Sequence, residues 1–181
     1  MSFSSGKFIL NTSKVAGILL TMLFSACNNE QVDLSPIPKI EFVSIEKIKS
    51  SENKDSVLRL TLYFEDGDGD IGLSESDTAA PFNYGSPYFH NLPITYLVKS
   101  GNQFIEVVDP ISSEPYGNQH QRVPVLTPTS KYKGITGNLT VNLTANPAQT
   151  NPDELRFEIN LLDRALNISN TITTPSVQLT H

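Results

Sequence analysis

Along residues 57–65 (VLRLTLYFE) side chains alternate: Leu58, Leu60, Leu62 and Phe64 fall to one side, Arg59, Thr61 and Glu65 to the other. A helix scatters such a row around its circumference, whereas a strand lines it up on one face, so period-2 alternation predicts a half-buried strand. The pattern returns at 138–145 through Leu139, Val141 and Leu143, and at 155–162 through Leu155, Phe157, Ile159 and Leu161. Residues 40–48, 93–99, 103–108 and 172–179 add short β-branched or aromatic runs. The last is broken by Pro175, and SGN at 100–102 reads as a hairpin turn. Residues 122–126 read as an edge strand, because Pro124 has no N–H for a ladder. With no helical period beyond the leader, the expected fold is all-β. It is an antiparallel β-sandwich, Ig-like or fibronectin-like, of seven to eight strands. Tryptophan is absent and there is one cysteine, so the antibody hallmarks are missing and the fold rests on its core.

Residues 1–26 are expected to lie outside that fold. Lys7 and Lys14 lead into the apolar VAGILLTMLFSA without any acidic residue, the order of a secretory signal peptide. The apolar run falls short of the roughly 20 residues a bilayer-spanning helix needs. Leu23-Phe24-Ser25-Ala26-Cys27 is similar to a bacterial lipobox, with Phe24 where leucine is usual and Leu23 one place earlier. The similarity implies cleavage before Cys27 and lipidation of its sulfur, which accounts for an unpaired cysteine in an exported chain. The expected partner is therefore a lipid bilayer, and the expected location the outer membrane, facing periplasm or cell surface. Residues 27–38 are polar and proline-bearing, as suits a flexible tether, and 39–181 have the length of one domain. The whole chain carries a net charge of −6, and losing the leader removes two lysines and no acid. Such an acidic domain excludes nucleic acid as a partner.

At the end of the first alternating run the chain reads FEDGDGDIG, with Asp66, Asp68 and Asp70 separated by glycines. Carboxylates two residues apart in a turn can converge on Ca2+, which takes six to eight oxygens. An EF-hand is excluded. Its sixth position would be Ile71 instead of glycine, its twelfth Asp77 instead of glutamate, and the preceding element is a strand. The competing reading is a solvated turn whose aspartates bond backbone N–H groups. DRALNISN at 163–170 follows another alternating run. In an Ig-like sandwich the loops after these two strands emerge at the same end, so Asp163 and Asn167 are expected to join the cation site or else to form a separate tight turn.

FEDGDGDIG and DRALNISNTITTP together resemble a group of exported lipoproteins common in Bacteroidetes. These carry a DGDGDIG segment after an early strand and a DRA-type segment before the last. The resemblance implies export, lipid anchoring and a sandwich, and no settled activity. No GxSxG, HExxH or P-loop is present, and the three histidines are scattered, so no enzyme is expected. A long loop, 72–92, holds Tyr84, Tyr88 and Phe89, aromatics able to stack on a sugar ring or to pin the loop to the sandwich. The sequence therefore favours a non-catalytic envelope lipoprotein that binds or scaffolds, through an envelope protein or a glycan. A glycan-binding accessory module is the alternative, and a periplasmic hydrolase a distant third.

Overall fold

The computed structural model describes residues 34–126 and 133–181; Cys27 and the leader lie outside the described residues. Among the described residues eight strands form: β1 (Lys39–Lys49), β2 (Asp55–Asp66), β3 (Ile94–Ser100), β4 (Gln103–Glu106), β5 (Ile135–Thr144), β6 (Glu154–Ile159), β7 (Ile172–Thr173) and β8 (Val177–Gln178). One sheet runs β1-β2-β5; the other runs β4-β3-β6-β7, with β8 also on β6, and all pairs are antiparallel. This is the Ig-like arrangement, with first, second and fifth strands facing third, sixth and last.

The period-2 rows become the core. Leu58, Leu60, Leu62 and Phe64 of β2 meet Leu155, Phe157 and Ile159 of β6 together with Ile94 and Tyr96 of β3, and all but Phe64 are fully buried. Each such side chain contributes about 1.5–3 kcal/mol by leaving water. The rings of Tyr96 and Phe157 pack at 6.1 Å.

Residues 122–126, expected as an edge strand, form no strand. Pro124 cannot donate, and the neighbouring backbone is held by other partners. Val123 N–H donates to Asn91 Oδ1 at 2.6 Å, and its carbonyl accepts from Leu73 N–H at 2.9 Å. Leu126 N–H donates to Ile71 O at 3.0 Å. This segment thus seals the loop that follows β2 instead of extending a sheet. At the C-terminus Pro175 divides the expected single run into β7 and β8.

Candidate metal centre

Asp66 continues the inward row of β2 past Phe64, so its carboxylate is carried to the end of the core and is fully buried. The chain then turns within FEDGDGDIG. Gly69 takes a left-handed φ of 68°, and Asp70 N–H donates back to Asp66 Oδ2 at 3.0 Å. Gly67 answers a different demand. Its N–H donates to Ser35 O at 2.7 Å, and a Cβ there would lie 2.2 Å from Leu34 O. That glycine exists to let residues 34–35 lie against the aspartate turn.

Asp163 arrives from the other sheet. It bridges to Ile71, while Arg164 N–H donates to Asp70 O at 3.3 Å and Ala165 N–H to Asp70 Oδ2 at 3.1 Å. Leu166, at a φ of 69°, closes a tight turn that brings Asn167 back onto Asp163. Asn167 main-chain N–H donates to Asp163 Oδ1 and its Nδ2 to Oδ2, both at 2.7 Å. Asn167 therefore fixes the carboxylate through its donors.

The outcome is four carboxylates, of Asp66, Asp68, Asp70 and Asp163, each offering an oxygen within 4.8 Å of the others. Two unit charges 4 Å apart repel by about 4 kcal/mol at the effective dielectric of a protein surface. Burial, then the charge of Asp68, pushes the Asp66 carboxyl up to about 6. Asp70 is raised by burial, then by Asp163 and Asp68. The hydrogen bonds do not exhaust the site. Oδ1 of Asp66, of Asp68 and of Asp70 are all buried without a hydrogen-bond partner among the described residues. A buried acceptor without a donor is costly, and a cation is one remedy that serves several such oxygens at once. The cluster holds oxygen donors only, with neither histidine nor cysteine, which suits a hard divalent ion. This cluster could hold a metal ion.

No protein-family model, curated protein or solved structure matches the chain.

The aromatic loop begins beside this centre. Tyr84 is 85% exposed, whereas Tyr88 and Phe89 are half-buried. Phe89 is packed by Tyr84 at 5.3 Å, by His90 at 4.8 Å and by the Arg122 guanidinium at 5.0 Å. Two arginines that the sequence did not single out organise the loop. Arg122 donates to the carbonyls of Ser74, Asp77, Phe82 and Phe89. Arg164 makes a two-pronged pair with Asp77, at 2.7 and 2.9 Å, and lies 5.5 Å over Phe82. That pair, with the Ser74 donors, holds the Asp77 carboxyl well below the usual range. The signal was present in the DRA segment, where Arg164 follows Asp163 directly and so links the carboxylates to the loop. His120 is used structurally, its Nδ1 accepting from Ile94 N–H at 2.9 Å.

Proposed function

We propose that this protein is a lipid-anchored envelope module with a non-catalytic binding or scaffolding role, one end of whose sandwich is organised by calcium. The observation that carries the cation is the fully buried Asp66 with its unpartnered Oδ1, in a cluster where Asp66, Asp68, Asp70 and Asp163 each place an oxygen within 4.8 Å of the others. Calcium is favoured over magnesium because an irregular set of carboxylates from two loops suits its flexible coordination, whereas magnesium demands a near-ideal octahedron. Main-chain carbonyls and water complete such a shell. In calorimetric titration the chelator-treated protein is expected to take up one Ca2+, with Asp68→Ala abolishing uptake. A wild type that binds none refutes the cation.

Anchoring rests on the leader and Cys27. The expected result for Cys27→Ala is transfer from the membrane to the soluble fraction, with loss of the acyl mass. A mature N-terminus mapped away from residue 27 and unchanged fractionation would sink the anchor.

A second reading is favoured by one observation, the exposure of Tyr84 on a loop otherwise pinned by two arginines. A rigidly mounted, solvent-facing ring is a stacking platform for a sugar, and cell-surface glycan binding is the function it supports. On a glycan array, Tyr84→Ala should then lose whatever signal the wild type gives; a blank wild type removes this reading.

A further inference from the structure

Among the described residues every sheet edge but one is blunted. β1 carries Lys39, Glu41, Glu46, Lys47 and Lys49, has two register shifts, and is capped where Asn170 bonds both N–H and C=O of Ile40. β4 is four residues long, and β7 and β8 are two residues each with Pro175 between them. Charges, bulges, prolines and short strands are the devices that stop edges from pairing. β5 (ITGNLTVNLT) has none of them. It runs for ten residues without a charge or a proline, in unbroken register with β2, and no described strand pairs with its other side.

The direction of its hydrogen-bonding groups follows from its last residues. Ala145 N–H donates to Ser56 O, on the β2 side. Thr144 points the other way, where the Gln119 side-chain amide takes its N–H at 2.7 Å and its C=O at 3.0 Å. Main-chain groups alternate sides along an antiparallel strand, so Thr136, Asn138, Thr140 and Asn142 also present theirs outward. The 3.2 Å contact between the Thr61 and Thr140 hydroxyls agrees, since side chains approach most closely at pairs that do not exchange main-chain bonds. Gln119 plugs one end of this edge, and no other described residue is bonded along the rest.

The occupant is written in the strand itself. Read outward from Thr140, the sequence is symmetric: Asn138 and Asn142 flank it, then Thr136 and Thr144. We propose that β5 pairs antiparallel with β5 of a second copy of this chain, about a two-fold axis through Thr140. In that register threonine meets threonine and asparagine meets asparagine, like pairs that can hydrogen-bond across strands. Asn138, Thr140 and Asn142 of each copy exchange main-chain bonds, and the half-buried Leu139 and Val141 gain cover. An edge free of charge lets two acidic molecules meet there without a local repulsion, and a two-fold contact closes on itself as a dimer.

Sedimentation equilibrium on the mature chain with Cys27→Ala, which removes any acyl-driven association, tests this. The wild type is expected as a dimer. Thr140→Lys, which sets like charges at the axis, should weaken it at least tenfold, as should Asn138→Asp with Asn142→Asp, which sets carboxylates opposite one another. All three substitutions fall on exposed positions, so the melting of the monomer fold serves as the control for folding. In the wild type, amide exchange at Asn138, Thr140 and Asn142 should slow as concentration rises. A monomeric wild type, variants that dimerise as tightly as wild type, or open-ended assembly in place of a dimer each overturns the proposal.

Discussion

With calcium chelated, the aspartate cluster is expected to contribute less stability as pH rises from 4 to 7, opposite in sign to the paired carboxylates of Asp77 and Glu154. Asp66 is held near 6 in the folded state against 3.8 for the free group, so between those values the folded chain keeps a proton that the unfolded chain has released. The Asp66 contribution then falls with pH, by about 3 kcal/mol in all once pH passes the folded value. Asp70, also raised, acts in the same direction. Calcium inverts the slope, because the ion binds the ionised carboxylates and only the folded chain brings them together. At a hundredfold excess over Kd it restores about 2.7 kcal/mol, or roughly 8 °C in melting temperature. Asp66→Asn separates the two effects. In chelator at pH 7.5 it should melt above the wild type, since no buried charge is created, yet calcium should no longer shift it. Thermal melts at pH 4.5 and 7.5, with millimolar calcium and with chelator, read all of this. A wild type indifferent to calcium at pH 7.5 would end the cation reading.

Gly72→Ala is expected to cost on the order of 3–5 kcal/mol, strain and overpacking together. Gly72 closes the DGDGDIG segment at a φ of 114°, where side chains are rarely found, and a Cβ there would lie 2.2 Å from Pro124 O and 2.4 Å from Val125 Cα. Both obstacles are backbone and cannot rotate aside. The sealing segment 122–126 must therefore move, with the Leu73–Val123 and Leu126–Ile71 bonds that fix it. Gly101 gives the comparison. It also has a positive φ, of 61°, but nothing lies within 4 Å of its added Cβ, so alanine there should cost about 1 kcal/mol. Urea unfolding of the two variants distinguishes them; equal losses would mean that the approach of Pro124 contributes nothing.

Much of the fold was legible because a strand's period is local. The rows Leu58 to Phe64 and Leu155 to Leu161 name the buried faces without any knowledge of partners, and both are buried. Extended by one step, the same parity reaches Asp66 and Asp163, and so places both carboxylates at the end of the core. Asn167 was legible as a neighbour of Asp163, though not as the donor that orients it, since that depends on the turn at Leu166.

What the sequence by itself determined, then, is the alternation, the turn residues and the facing of each side chain, because these depend only on chain geometry and adjacent residues. Which distant segments meet was decided by the tertiary structure. No period in residues 122–126 says that they will seal Ile71–Leu73 instead of joining a sheet, and nothing local in Gly67 announces the approach of Leu34. The four carbonyls on Arg122 come from a loop more than thirty residues earlier in the chain. Which way the backbone groups of β5 point likewise became visible only from Ala145 and Thr144 bonding to opposite sides. Such contacts form where packing the two sheets leaves backbone groups to be satisfied, a demand set by the assembled molecule that no short stretch of chain carries.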